Sequence, residues 1–98
     1  MKIALFGYGK MGQMIERTAL VRNHEIVAKI DIDTQNVDFS NIDVAIDFSM
    51  PEAAFANITL CIANNTPVIS GTTGWLEKYD VAVALCKQNK GAFIYASN

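Results

Sequence analysis

The sequence predicts an α/β fold, a doubly wound parallel sheet of about five strands with three main helices. Three observations predict it. Short apolar, β-branched runs alternate with stretches of helical periodicity along the whole 98 residues. The first run, Lys2-Ile3-Ala4-Leu5-Phe6, leads into Gly7-Tyr8-Gly9-Lys10-Met11-Gly12, three glycines at G-x-G-x-x-G spacing ahead of a helical pattern. The second run closes on an acid, Asp31, 24 residues after Gly7, near the ~20 expected between such a glycine turn and its acid.

The elements follow in order. Lys2 to Phe6 is the first strand, and Met11 to about Arg22 a helix with Met11, Met14, Ile15, Ala19 and Val21 near helical spacing. Asn23-His24 ends it, and Glu25 to Asp31 is a second, β-branched strand. The polar stretch 32–41 is too short for the helix that usually follows and reads as a loop. Asp43 to Phe48 is a third strand, apolar on both faces except at its ends, as a buried parallel strand should be. Ser49-Met50-Pro51-Glu52 has capping-box form, with the Ser49 hydroxyl expected to cap a helix whose buried face is Phe55, Ile58 and Ile62. That helix ends near Asn64-Asn65. Pro67 to Ser70 is a fourth strand, followed at its carboxyl end by Gly71-Thr72-Thr73-Gly74. Leu76, Tyr79, Val83 and Cys86 mark the inward face of a third helix running to about Asn89, with Gly91 suited to a left-handed stop. Ala92 to Ala96 is a fifth strand, and Ser97-Asn98 close the sequence.

Composition bounds the function classes. A chain of this length is one small domain that buries roughly two-thirds of its unfolded surface. At 51% apolar and 18% charged, with a net charge of −2 and scattered basic residues, it offers no electrostatic footprint for nucleic acid. The N-terminus lacks the parts of a signal peptide, and no apolar run approaches the ~20 residues of a membrane span. Cys61 and Cys86 lie 25 residues apart in helical patterns, with no C-x-x-C and no partner histidine. They read as buried free thiols of a reducing cytosol, and no metal site is expected. His24, the single histidine, sits in the polar turn Arg22-Asn23-His24-Glu25 as a solvated residue.

In a doubly wound sheet the ligand crevice lies beyond the carboxyl ends of the strands. That rule selects Gly7 to Gly12, Asp31, Phe48-Ser49, Gly71-Thr72-Thr73 and Ala96-Ser97-Asn98, where the small and hydroxylated residues cluster. The glycine turn suits a dinucleotide pyrophosphate. Gly7 permits the turn, Gly9 lets backbone approach phosphate, Gly12 lets the helix pack closely on the sheet, and the helix N-terminus faces the anion. An acid at the end of the second strand accepts hydrogen bonds from both adenine-ribose hydroxyls and favours NAD. Against a 2′-phosphate it is repulsive unless a cation offsets it; Ile32 follows it, and Lys10 is the nearest cation. Ser49 serves as a helix cap or touches the cofactor, and Gly71-Thr72-Thr73 gives backbone groups access to a nicotinamide carboxamide. Trp75 and Tyr79 read as packing for the following helix. On these residues the chain is a Rossmann-type cofactor domain, whether of a two-domain dehydrogenase, such as an aspartate or homoserine dehydrogenase, or as a non-catalytic nucleotide sensor.

Gly7-Tyr8-Gly9-Lys10-Met11-Gly12, Asp47-Phe48-Ser49-Met50-Pro51-Glu52, Gly71-Thr72-Thr73-Gly74-Trp75 and Ala96-Ser97-Asn98 together resemble the N-terminal domain of the dihydrodipicolinate reductases. The resemblance spans the whole chain, and the D-F-[ST]-x-P-E and G-T-T-G pair is more specific than the glycine turn. It implies a bacterial cytoplasmic enzyme of the diaminopimelate route to lysine, which delivers a hydride from NADH or NADPH to give tetrahydrodipicolinate. It also implies cofactor contacts at Gly7, Tyr8, Gly9, Lys10, Met11, Gly12, Asp31, Phe48, Ser49, Gly71, Thr72, Thr73, Ala96, Ser97 and Asn98. Ile32 stands where NADPH-using members often carry a basic residue, so NADH is favoured.

The resemblance further implies a substrate-binding domain beyond Asn98, bearing paired histidines and a lysine and building a homotetramer. Residues 1–98 are then the cofactor domain alone, with no catalytic residue in this chain, and His24 does not match the family's pair. The chemistry agrees. Reducing an imine requires a proton source and cations for two carboxylates, and these residues hold no such constellation.

Overall fold

The alternation of apolar residues along Lys2–Phe6 sends Ile3 and Leu5 to one side and Ala4 and Phe6 to the other, and all four are buried. A strand buried on both faces belongs inside a sheet covered on both sides. In the computed structural model, which describes residues 1–31 and 37–96, this strand, β1, lies between β2 (Glu25–Ile30) and β3 (Val44–Asp47). β4 (Val68–Ser70) and β5 (Phe93–Tyr95) complete a five-stranded sheet in the order β2-β1-β3-β4-β5, with every pairing parallel.

Helix α1 (Lys10–Val21) packs Ile15 and Ala19 against Ile3 and Leu5. Helices α2 (Pro51–Ala63) and α3 (Tyr79–Gln88) cover the opposite face, where Ala54, Ile58, Cys61, Ile62 and Ala82 close over Ala4, Phe6, Ala45 and Val68. The direction of winding reverses between β1 and β3, and in open α/β sheets that switch point opens the ligand crevice.

All three helices stop in the same way. Asn23, Asn65 and Lys90 take left-handed φ values of 65°, 55° and 52°. In each case the next N–H reaches back to the third carbonyl from the helix end: His24 to Ala19, Thr66 to Cys61, and Gly91 to Cys86, at 2.8–2.9 Å. These are Schellman stops, which satisfy carbonyls the helix itself leaves open. The expectation that Gly91 supplies the left-handed residue is therefore corrected. Lys90 does, and Gly91 donates the closing bond.

Two further expectations change. The third helix begins later than its apolar spacing suggests, because Leu76–Lys78 form a 3-10 turn ahead of α3. Tyr79, at the edge of the core, packs its ring on Phe93 and Tyr95, whereas Leu76 is 49% exposed and does not face inward. Trp75 takes that space instead, 3% exposed, with its ring 5.8–6.1 Å from those of Tyr79, Phe93 and Tyr95. The polar stretch after β2 contains a 3-10 turn at Phe39–Asn41; positions 32–36, including Ile32, lie outside the described residues.

Both cysteines are free, as expected; Cys61 is buried and Cys86 half-buried. Burial, and then the negative charge of Asp47, push the Cys61 thiol up to about 12. Among the described residues no helix is long and apolar enough to cross a membrane.

Candidate functional site

The sheet order lays the candidate residues out along one edge. Reading from β2 to β5, the carboxyl ends carry Asp31, then the glycine turn, Phe48-Ser49, Gly71-Thr72-Thr73 and Ala96. Ser97 and Asn98 lie outside the described residues.

The glycine turn is held tightly at one end and open at the other. Gly7 has φ +89°, and a Cβ there would fall 2.4 Å from the Phe48 carbonyl oxygen, so only glycine fits. Its N–H donates to the Ile30 carbonyl at 2.8 Å, tying the turn to the end of β2. A Cβ on Gly9, in contrast, would meet nothing within 4 Å. Gly9 is also the N-cap of α1, with no side-chain cap and no acid in the first turn. The first N–H groups of α1 and the positive end of its dipole therefore face open space. Gly12 is small for a different reason from the one expected. Its Cβ would come 2.6 Å from the Gly7 carbonyl oxygen, so it fits the helix against the turn rather than against the sheet.

Tyr8 turns away from the crevice. Its hydroxyl donates to Glu16 on α1, and Lys29 on β2 reaches both: Nζ is 2.8 Å from Glu16 Oε2 and 4.6 Å from the Tyr8 ring centre. The Lys29 ammonium, and after it the Tyr8 hydroxyl, hold the Glu16 carboxyl below its ordinary range. Tyr8 thus presents backbone, not side chain, to the open side of the turn. Lys10 is exposed at the start of α1.

Met11, Phe48, Ser49, Pro51, Gly71, Thr72 and Thr73 line one open cavity of about 330 Å³. Gly71 is essential to its shape, because a Cβ there would fall 2.3 Å from the edge of the Phe48 ring. The cavity brings the start of α1 together with the turns after β3 and β4.

Under those two turns lies an acid that was not expected at the site, Asp47, which gathers Ser49 and Thr72 around it. Asp47, the last residue of β3, is fully buried. Its Oδ1 accepts from Ser49 Oγ at 2.6 Å and Asn57 Nδ2 at 3.3 Å. Its Oδ2 accepts from Ser70 Oγ at 2.7 Å and Thr72 Oγ1 at 2.9 Å. Thr72 Oγ1 in turn accepts from the Ser49 N–H at 2.9 Å, and the Trp75 indole donates to the Thr72 carbonyl at 2.7 Å. The available signal was an acid ending an apolar strand with hydroxyl residues at the end of the next.

This cluster also overturns the capping expectation. The N-cap of α2 is Met50, with no side-chain cap, and Pro51 begins the helix. The Ser49 hydroxyl is drawn to Asp47 because a buried carboxylate must collect donors, whereas the α2 N-terminus opens outward.

No group of three or more His, Cys, Asp or Glu suited to a metal ion occurs among the described residues. His24 sits at the other end of the molecule's first strand, its Nδ1 3.0 Å from the N-terminal amine.

Residues 1–98 match the protein family described as dihydrodipicolinate reductase, N-terminus. The 4-hydroxy-tetrahydrodipicolinate reductase of Christiangramia forsetii is 57% identical over 100 residues, covering 100% of this chain and 42% of that protein. Among solved structures, the dipicolinate-bound dihydrodipicolinate reductase from Paenisporosarcina sp. TG-14 matches with TM-score 0.79 and 27% identity, over 100% of this chain and 47% of that one. A putative myo-inositol dehydrogenase from Sinorhizobium meliloti matches with TM-score 0.83 over 98% of this chain and 36% of its own, but at 12% identity it shows the fold alone. The chain spans less than half the length of these relatives.

Proposed function

The chain belongs to the N-terminal family of the dihydrodipicolinate reductases, and from that premise we propose that it is the NAD(P)H-binding domain of an enzyme making tetrahydrodipicolinate in the diaminopimelate route to lysine. The observation that carries this reading is the glycine turn. A Cβ at Gly7 or Gly12 meets backbone, while one at Gly9 meets nothing. Gly9 thus keeps clear a surface that the fold does not fill, at an uncapped helix N-terminus, which is the cradle a pyrophosphate requires.

Bound there, the reduced nicotinamide would supply the hydride. The chain's residues bind and orient. The first turn of α1 and the backbone of Gly7 to Gly12 hold the pyrophosphate, and Asp31 the adenine-ribose hydroxyls. Phe48, Ser49, Gly71, Thr72, Thr73 and Ala96, with Ser97 and Asn98, hold the nicotinamide end. Asp31 followed by Ile32, with no arginine beside it, supports NADH over NADPH. Substrate-binding and proton-donating groups come from a further domain, through which the full-length protein forms a cytoplasmic homotetramer.

Titrating the full-length protein with both reduced dinucleotides tests the reading. NADH should bind more tightly than NADPH, and Ile32→Arg should narrow the gap by giving a 2′-phosphate a bidentate partner. Tighter NADPH binding would overturn the preference. Failure to bind either would overturn the cofactor reading itself.

A further inference from the structure

Asp47 has no part in the contacts proposed above, yet it is the most completely enclosed acid of the described residues. Burying a carboxylate is costly unless strong partners replace water, and its partners are four neutral donors rather than a cation. A valine or leucine would continue β3 at no such cost. What the acid adds is direction. A carboxylate only accepts, so the hydroxyl hydrogens of Ser49, Ser70 and Thr72 must all point inward. Thr72 Oγ1, its hydrogen committed, accepts the Ser49 N–H; Ser49 Oγ, likewise committed, accepts from Asn57 at 3.1 Å.

We propose that Asp47 is a positioning residue for the nicotinamide end of the dinucleotide. It locks the turn after β3 to the turn after β4, so that both line the cavity in one fixed geometry. A lining fixed at two turns suits a planar ligand group that carries both donors and an acceptor, such as a carboxamide. This rests on the cofactor reading above.

The test compares NADH with ADP-ribose, which keeps the adenosine and pyrophosphate but lacks nicotinamide, on the full-length protein. Asp47→Asn preserves volume but turns an N–H₂ towards donors. NADH affinity should fall about tenfold and ADP-ribose affinity by less than about twofold. Equal losses for both ligands, or no loss of NADH affinity, would overturn the proposal. If Asp47→Asn does not fold, Ser70→Ala, which removes a donor to Asp47 from a fully buried side chain outside the cavity, should show the same selective loss. A Ser70→Ala variant that binds NADH normally, or that loses both ligands equally, overturns it as well. A wild-type protein that binds no dinucleotide removes the cofactor reading and this proposal with it. Normal binding with indifferent variants removes this proposal alone.

Discussion

The Asp47 carboxylate and the Ser70 hydroxyl lie 2.7 Å apart at paired positions of β3 and β4, both without solvent exposure. Because the pair is sealed, neither group can find water if the other is removed. Ser70→Ala should therefore lower stability by about 1–2 kcal/mol, the range for removing one donor from a buried acceptor that keeps others. Urea unfolding of the two proteins would measure it. An unchanged midpoint would mean that the remaining three donors satisfy the carboxylate fully.

Gly7 and Gly9 should respond oppositely to the same added methyl. At Gly7 the Cβ meets the Phe48 carbonyl at 2.4 Å, and φ is +89°. Strain and overlap together should cost Gly7→Ala about 3 kcal/mol or more of stability. Gly9→Ala meets no protein atom within 4 Å, so it should unfold at close to the wild-type denaturant concentration. It should nevertheless lose dinucleotide affinity by about tenfold or more, because the methyl occupies the surface that the pyrophosphate would approach. Paired unfolding and NADH titrations separate the two effects. A Gly9→Ala protein that binds normally would remove the glycine turn from the cofactor site.

These contrasts mark what was legible in the residues. The apolar run Ile3-Ala4-Leu5-Phe6, the spacing of Gly7, Gly9 and Gly12, and the alternation of such runs with helical stretches are local patterns, and the strand, the turn and the sheet followed from them. Ser49 was misread for the opposite reason. Ser-x-x-Glu before a helix is a local capping pattern, but the winning acceptor, Asp47, becomes available only when β3 is buried. Asp47 itself looked like the polar end of a strand, since nothing in a single sequence reveals that Ser70 will stand opposite it. Leu76 kept helical spacing, yet Trp75 is larger and took the interior position. Where a short-range preference met a tertiary competitor, the competitor prevailed.

Lys90 offers a gain in stability. Its φ of 52° places a Cβ-bearing residue in the left-handed region, where glycine is free of the penalty. Its own N–H donates to Lys87 at 3.2 Å and that of Gly91 to Cys86 at 2.8 Å, bonds that glycine at position 90 would retain. Lys90→Gly should raise stability by about 0.5–1 kcal/mol after the extra entropy of the unfolded glycine is counted. The gain would appear as a higher urea midpoint at an unchanged denaturant slope. A lower midpoint would show that the lysine side chain contributes more at the end of α3 than its backbone strain costs.

The Tyr8–Glu16–Lys29 trio should give the glycine turn a defined pH window. The hydrogen bond from Lys29, and then that from Tyr8, lower the Glu16 carboxyl below its ordinary 4.5. Glu16, first through that hydrogen bond, raises Lys29 above its ordinary 10.5. A lowered acid stabilises the fold above its unfolded value and ceases to as pH falls through its folded value. A raised lysine stabilises the fold below its unfolded value and ceases to as pH rises through its folded value. The stability difference between wild type and Glu16→Gln should therefore be level from about pH 5 to about pH 10 and shrink on either side. It should also shrink with added salt, because the Lys29 side chain is 47% exposed. Unfolding both proteins across pH would decide it. A difference that persists undiminished at pH well below 4.5 would mean that Glu16 acts through the shape of its side chain, and that Tyr8 is held by packing rather than by charge.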